Sequence, residues 1–317
     1  MKSQKSQRKP SERARADSSQ RNKPNGAGLS VILVTYNHRD FILPCLRSLG
    51  LISRNLNPEI IVVDNRSSDG TVPLVRQHFH QIRLIENPQN LGFARAVNQA
   101  FRESRGNLLL LLNPDIQILP GAIERMAAYL RDDGKTGILV PKLINPDGSL
   151  QYSCRTFCHP FTFFLRRAPL SWVFPGHRAV REHLMMDWDH QNIRQVDWGL
   201  GACMLIRREA LGETQIMDER FFLYMEDIDL CYSLNKSGWK IVYYPEAVMV
   251  HHYLRESAGG LFNRAKWEHL KSVFKFYFKL GRLNPEKFHG DWKAQERDSG
   301  QENLLIPYFP RGPRKDR

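Results

Sequence analysis

The sequence predicts an α/β protein built on a mostly parallel central sheet flanked by helices, and three observations lead there. From Leu29 onward, short runs rich in Leu, Ile and Val alternate with amphipathic stretches. The connections between them are short. Most of the apolar runs end in Asn, Asp or Thr, as strands do when they stop at one edge of a sheet.

Taken in order, LSVILVTYN (29–37), EIIVVDN (59–65), IRLIEN (82–87) and NLLLLLNPD (107–115) read as strands buried on both faces. Helices are expected between and after them at about 40–50, 70–79, 92–104 and 120–131, opened by Asp40, by residues 68–70, by Gly92 and by Pro120. A second half follows. TGILVPKLI (136–144) reads as another strand, whereas 145–196 is aromatic and irregular, with Phe157, Phe161, Phe163, Phe164, Trp172, Phe174 and Trp188. Strand character returns in ACMLIRREAL (202–211), a helix is expected from about Glu226 to Lys236, and 239–252 reads as extended. In 261–283, Phe262, Trp267, Leu270, Val273, Phe274, Tyr277 and Phe278 fall roughly on one helical stripe among six Lys and Arg.

The chain has 317 residues and a net charge of +13, which invites a nucleic-acid reading until the charge is apportioned. Residues 1–28 carry eight basic and two acidic side chains, and 261–317 carry thirteen and seven. The 232 residues between hold 25 basic and 24 acidic side chains, so the core is nearly neutral and no specific nucleic-acid partner is expected. This divides the chain into a disordered basic arm (1–28), a nearly neutral α/β domain (29–260) and a basic amphipathic helix with its tail (261–317). Five irregularly spaced cysteines form neither a disulfide framework nor a zinc pattern and suit a reducing compartment. In Cys154-x-x-x-Cys158-His159 the residue types hint at a metal fragment, but structural roles are expected. With no apolar leader and no run near the ~20 residues of a membrane span, a cytoplasmic protein is expected, soluble or peripheral on the membrane's cytoplasmic face.

In open α/β sheets ligands bind beyond the carboxyl ends of the strands. The residues there are Thr35-Tyr36-Asn37, Asp64-Asn65 and Asn113-Pro114-Asp115. Each alone would serve as a helix cap or turn, but three at neighbouring strand mouths point to a site. The turn after the first strand lacks the Gly-x-Gly-x-x-Gly of a dinucleotide fold, and no Walker loop is present. A nucleotide diphosphate held here would therefore lean on a divalent cation, with Asp115 suitably placed.

Seven stretches in order carry a family resemblance: SVILVTYN, VVDNRSSDGT, NPQNLGFARAVNQAF, LLLLNPD, VDWGLGACMLIRREAL, MDERFFLYMEDIDLCYSL and YYPEAVMVHHYLRES. From Leu29 to about Ser257 the chain resembles the family 2 inverting glycosyltransferases with a GT-A fold, within them the rhamnosyltransferase-like branch that builds bacterial surface polysaccharides. The resemblance implies transfer of a sugar from a nucleotide diphospho-sugar donor to a glycan or lipid-linked glycan acceptor, with Mg²⁺ or Mn²⁺ as cofactor. Rhamnose is suggested by analogy alone.

By the same resemblance Thr35, Tyr36, Asn37 and Asp64 hold the nucleobase and ribose, with Arg66, Asn90, Gly92, Phe93 and Ala94 as the adjoining donor wall. Many members carry Asp-x-Asp after the fourth strand. This chain has Asn113-Pro114-Asp115, so one carboxylate is lost and the cation would depend on Asp115, diphosphate oxygens and water. His251 or His252 is the implied second ligand. Neighbours on an extended strand point to opposite faces, so only one of the two reaches the metal. Gly199, Gly201 and Ala202 would leave room for the sugar, and Trp198 would either stack on it or lie in the core.

Inverting displacement needs one carboxylate to take the acceptor proton. MEDID offers Glu226, Asp227 and Asp229 at a helix start, where Glu226 and Asp229 lie near one face and Asp227 points elsewhere. The resemblance makes Asp227 the base and gives Glu226 an orienting or acceptor-binding role. The helix N-terminus is expected to favour the ionised form. The terminal helix has two readings, packing on the catalytic domain or lying on an anionic membrane through 261–282. The rivals are a sugar-nucleotide pyrophosphorylase, which lacks its glycine-rich loop here, and a non-catalytic glycan- or nucleic-acid-binding protein acting through its basic tails.

Overall fold

The computed structural model describes residues 28–157, 162, 177–213, 215–252 and 264–281. The arm up to residue 27, Cys158-His159, the aromatics Phe161, Phe163, Phe164, Trp172, Phe174 and Phe262, Arg282 and the tail after it lie outside the described residues.

The strands are β1 (Leu29–Thr35), β2 (Pro58–Asp64), β3 (Arg83–Glu86), β4 (Leu108–Leu112), β5 (Ile116–Ile118), β6 (Thr136–Ile144), β7 (Cys154–Arg155), β8 (Arg194–Val196), β9 (Trp198–Gly199), β10 (Cys203–Arg207) and β11 (Lys240–His251). The helices are α1 (Arg39–Leu49), α2 (Thr71–His78), α3 (Phe93–Glu103), α4 (Ala122–Asp132), α5 (Arg178–His183), α6 (Glu226–Lys236) and α7 (Arg264–Gly281). One sheet runs β3-β2-β1-β4-β10-β6-β11-β5, with β8 beside β11, and β7 and β9 form a separate two-stranded sheet.

β1, β2, β3 and β4 are parallel, as the βαβ pattern predicts. All seven residues of β1 are buried, and its alternation splits them between two core layers. Leu29, Val31 and Leu33 pack with α1 and α4 through Ile42, Leu46, Ile123 and Met126, whereas Ile32 and Val34 pack with α3 through Ala94, Val97 and Phe101. The five leucines of β4 divide the same way, Leu110 and Leu112 against Leu109 and Leu111. Leucine has no strong strand preference. Burial on both faces, worth about 1.5–3 kcal/mol per side chain, makes the run a strand here.

Two features differ from expectation. β3 is an edge strand with Arg83 and Glu86 exposed, because only β2 pairs with it, so it is not buried on both faces. β10 enters antiparallel between β4 and β6, beyond which β6 and β11 pair in parallel. The antiparallel entry brings the segment preceding Cys203 out at the edge where β1, β2 and β4 end. β11 also bulges between Tyr244 and Val248, then pairs His251 with Ile116 of β5. Helix openings shift slightly too: α1 is capped by His38 with Asp40 inside its first turn, and α4 by Gly121.

Helix α7 packs one face on the domain. Ser272, Val273 and Phe276 are buried, Ser272 Oγ donates to the Leu223 carbonyl (2.9 Å), and the Phe276 ring meets Tyr232 edge-on. Lys279 Nζ donates to Asp229 Oδ1 at 2.6 Å and to Asp218 Oδ2 at 3.1 Å. Of the expected stripe, Val273 is buried, whereas Trp267, Phe274 and Phe278 are exposed, so that stripe divides between two faces of the helix. Among the described residues no helix is long and apolar enough to cross a membrane.

Burial raises the Asp229 carboxyl above its usual range, and Lys279 opposes that shift. Lys279→Met should therefore destabilise the protein at neutral pH by about 2 kcal/mol, the order expected for a buried carboxylate that loses its cation. The variant raises the folded-state pKa of Asp229 further above its unfolded value, so the deficit should shrink on acidification, as the carboxyl takes up its proton. Thermal denaturation of both proteins between about pH 7 and about pH 5 checks the sign.

Candidate active site

The carboxyl edge of the parallel strands gathers most of the polar residues singled out in the sequence. Thr35 and Asp64 are register partners at the ends of β1 and β2, and both are buried. Asp64 Oδ2 accepts the Ser67 N–H (2.8 Å), while among the described residues its buried Oδ1 has no hydrogen-bond partner. Asn37 adopts a left-handed conformation (φ 58°) and is held across the mouth, its N–H donating to Ser67 Oγ and its Oδ1 accepting from Ser68 N. Tyr36 beside it is 43% exposed. Arg66 is also left-handed (φ 68°), an uncommon state for a residue with a side chain and one that clusters at functional sites.

The turn before α3 is built from its own side chains. Asn90 Oδ1 accepts the Gly92 N–H, the Gly92 carbonyl accepts Asn65 Nδ2, and the Phe93 N–H donates to the Phe222 carbonyl at 2.8 Å. Asn98, buried within α3, takes the N–H groups of Ile216 and Met217 on its Oδ1 and gives its Nδ2 to the Met217 carbonyl. The segment leading to the acidic helix is thus anchored on α3 at two places.

A second hydrogen-bonded path links the Asn-Pro-Asp turn to that helix. Asn113 N donates to the Ala202 carbonyl (2.8 Å), and Gly201 N donates to Asp227 Oδ2 (3.0 Å). A Cβ on Gly201 would lie 3.1 Å from that of Asp227, so the missing side chain is what permits the approach. Tyr224 and Met225 both have positive φ (66° and 74°) in the turn that delivers Glu226 and Asp227 to the start of α6. Such strain persists only where the surroundings hold it.

The two carboxyls differ in electrostatics. Burial, reinforced by the neighbouring charge of Asp227, raises Glu226 well above the usual carboxylate range. Burial raises Asp227 too, but the Gly201 and Ile228 N–H groups and the charge of Arg155 oppose the rise. Desolvation thus outweighs the helix-dipole bias expected from sequence. Two backbone N–H groups, of Gly201 and Ile228, donate to Asp227 and favour its ionised form, whereas the buried Glu226 Oε2 has no hydrogen-bond partner among the described residues. Asp229 does not join Glu226, because it is committed to Lys279 on α7.

At the β5–β11 end, Asp115 and His251 are both buried, with His251 Nε2 3.4 Å from Asp115 Oδ2. Gln151 Nε2 donates to Asn145 Oδ1 and to the His251 carbonyl, so the Gln151 oxygen faces His251 Nδ1 at 2.8 Å and must receive its proton. In the neutral ring this leaves the Nε2 lone pair aimed at a carboxylate. Two electron-rich atoms at this distance call for a positive charge between them, a proton or a cation. His252 is held differently: its N–H donates to the Asp115 carbonyl, its ring packs against Phe41, and its buried Nε2 has no hydrogen-bond partner among the described residues. Among the described residues no three His, Cys, Asp or Glu converge as a ligand set. Asp115 and His251 supply two donors, which suits a Mg²⁺ or Mn²⁺ completed by water and substrate phosphate.

Sequence reasoning missed Gln151, Arg155, Asn98 and Asp197. Arg155 is buried, 5.5 Å over the Trp198 ring, and Trp198 itself is a core residue whose Nε1 donates to the Thr156 carbonyl. Asp197 accepts the Phe157 N–H and is pushed up to about 6 by burial. Buried charges in an irregular aromatic stretch were the available signal. Cys45, Cys154, Cys203 and Cys231 are free and buried, with thiols raised by burial.

The profile of the family described as Glycosyl transferase family 2 matches residues 30–213. An N-acetylglucosaminyl-diphospho-decaprenol L-rhamnosyltransferase from Mycobacterium tuberculosis is 32% identical over 242 residues, 71% of this chain and 76% of the relative. The rhamnosyltransferase WbbL of Escherichia coli K12 is 24% identical over 276 residues, 81% and 96% of the two chains. Among solved structures, a mannosyltransferase from Pyrobaculum calidifontis in complex with GDP-Man and Mn²⁺ superposes with a TM-score of 0.51 at 19% identity, covering 81% of this chain and 66% of that one. GalNAc-T7 with UDP, GalNAc and Mn²⁺ gives 0.58 at 16% identity, covering 87% and 51%. At such identities the likeness speaks for the fold, which is GT-A.

Gly92 has φ 87°, and a Cβ there would meet the Phe222 carbonyl at 2.6 Å. Gly92→Ala should break the Phe93–Phe222 hydrogen bond and cost about 2–4 kcal/mol. Denaturant unfolding reads the loss, and hydrogen exchange should show the Phe93 amide deprotected.

Proposed function

The chain belongs to glycosyltransferase family 2, and from that membership we propose that it moves one sugar, with inversion, from a nucleotide diphospho-sugar to a hydroxyl of a lipid-linked or growing cell-surface glycan. The printed activities of its relatives suggest L-rhamnose as the sugar and a polyprenyl-diphosphate-linked glycan as the acceptor. Residues 29–260 are the catalytic unit in this reading.

The observation that carries the proposal is the placing of Asp227 beside Glu226 at the start of α6, held by the Gly201 and Ile228 N–H groups, one backbone step from the Asn113–Ala202 bond and so from the Asp115 turn. Asp227 accepts the acceptor's hydroxyl proton as the oxygen attacks the anomeric carbon. The bond from that carbon to the diphosphate oxygen breaks with its electron pair, and the nucleoside diphosphate leaves as an anion. Neutral Glu226 stays a donor, able to orient the acceptor or a water. Thr35, Tyr36, Asn37 and Asp64 hold the nucleoside, Arg66, Asn90, Gly92, Phe93 and Ala94 wall the donor, Asn113 offers its carbonyl oxygen to a ribose hydroxyl or a water, and Gly201 and Ala202 leave space for the sugar. Asp115 and His251 hold the divalent cation, His252 serving through its backbone. A bound Mg²⁺ or Mn²⁺ would neutralise charge on the departing diphosphate.

Incubation with nucleotide diphospho-sugars, Mn²⁺ and a polyprenyl-diphospho-N-acetylglucosamine acceptor tests the reading, with NMR of the product reporting the anomeric configuration. Asp227→Asn should keep donor affinity within about threefold and lower turnover by at least about 10³-fold. Near-normal turnover would remove the assignment. Asp115→Ala should instead weaken metal-dependent donor binding, read by calorimetry with and without Mn²⁺.

Arg155→Met removes a charge that holds the Asp227 carboxyl down, so the base gains its proton at higher pH. The acidic limb of the kcat/KM profile, which falls as Asp227 is protonated, should move to higher pH. An unmoved limb would mean that Arg155 acts on packing alone.

A further inference from the structure

Helix α7 has two unlike faces, and the inner one is accounted for. Ser272, Val273, Phe276 and Lys279 fasten it to the loop before α6 and to Asp229, two residues beyond Asp227. The outer face carries Trp267 and Phe274, 56% and 63% exposed, and Phe278 at 66% extends the same stripe. At about 100° per residue these three positions fall within roughly 40° of one another. Isolated exposed aromatics need no explanation, but a row on one helix face marks an interaction surface.

We propose that this face docks into the headgroup region of an anionic lipid bilayer. Charge selects that occupant. With Lys279 committed to Asp218 and Asp229 on the inner face, positions 264–281 still hold four Lys and Arg against one Glu, in a chain whose 29–260 region is nearly neutral. Lys271 flanks the aromatic row with its side chain 59% exposed, paired with Glu268 at 2.9 Å, so the surplus cations are Arg264, Lys266 and Lys275. Aromatic rings bordered by cations make up an interfacial helix, the rings entering the acyl boundary and the ammonium groups meeting lipid phosphate. A second copy of this chain fits less well, because two-fold pairing of the stripe would set one basic helix against another.

The inference rests on the proposed function for its purpose only: a lipid-linked acceptor lies in the bilayer, and α7 fastens the docking surface to the helix that carries Asp227. Docking would hold the catalytic edge at the height of the acceptor's headgroup.

The test is co-sedimentation of the full chain with vesicles of phosphatidylcholine alone and of phosphatidylcholine with about one-third phosphatidylglycerol, at low and high salt. The expected result is binding to the anionic vesicles, weakened by salt, and about tenfold or more weaker in Trp267→Ser/Phe274→Ser. Unchanged thermal unfolding of that variant would show that the outer face is not needed for folding, and transfer to a water-soluble acceptor should be retained. Absence of wild-type binding to anionic vesicles, or equal binding by the variant, would overturn the proposal. A concentration-dependent dimer abolished in the variant, without vesicle binding, would assign the face to a second copy instead. Vesicle binding needs neither donor nor acceptor. Its failure therefore leaves the glycosyltransferase reading standing, and failed transfer leaves the vesicle result standing.

Discussion

Setting a buried carboxyl, Glu226, beside a half-buried one, Asp227, at the start of one helix is the constraint around which this structure is arranged. Two like charges side by side in so dry a place are costly, so the surroundings supply backbone donors to Asp227, while burial and the neighbouring charge push the Glu226 carboxyl up. Gly201 must come close, and a side chain there would crowd Asp227, its Cβ falling 3.1 Å from that of Asp227. Tyr224 and Met225 must turn left-handed to deliver the helix, and Arg155 must be buried nearby with Trp198 beneath it. Each feature is unfavourable or unusual alone, and together they hold one charge at one place.

Sheet topology makes this arrangement reachable. Because β10 runs against β4, the chain emerges before Cys203 at the edge where β1, β2 and β4 end, and Ala202 can accept from Asn113. The register of β11 against β5 does the same for His251 and Asp115, and Gln151 fixes the imidazole from the adjoining turn. The Thr35–Asp64 mouth, the Asp115–His251 pair and the acidic helix thus come from different parts of the chain but share one rim of the sheet.

Much of this was legible in the sequence. The strands around 29–35, 58–64 and 108–112 are visible because burial on both faces leaves an unbroken apolar run, and the 226–236 helix because acidic residues open it. The direction of β10 was not legible, since an apolar run reads the same both ways and only the path of the preceding aromatic segment decides it. β3 misled for a related reason: an apolar pair in IRLIEN cannot reveal that a strand has one neighbour rather than two. Among site residues, Asp115, Asp227 and Gly201 stood out through their motifs, whereas Gln151 and Arg155 act through partners a hundred and seventy-two positions away, respectively, and no local pattern announces them.

The two anchors that bind the 216–222 segment to α3, one through Asn98 and one through Phe93, also limit how the molecule can vary. An insertion between them would have to release a buried amide or pull the acidic helix out of line. The tip of the hairpin at Asp147 and Gly148 has nothing within 4 Å of where a side chain at Gly148 would begin, and only its flanks, where Asn145 orients Gln151, are tied to the site. Length differences that leave the enzyme working should therefore accumulate at that hairpin tip, and a graft aimed at new specificity has more freedom there than beside α6.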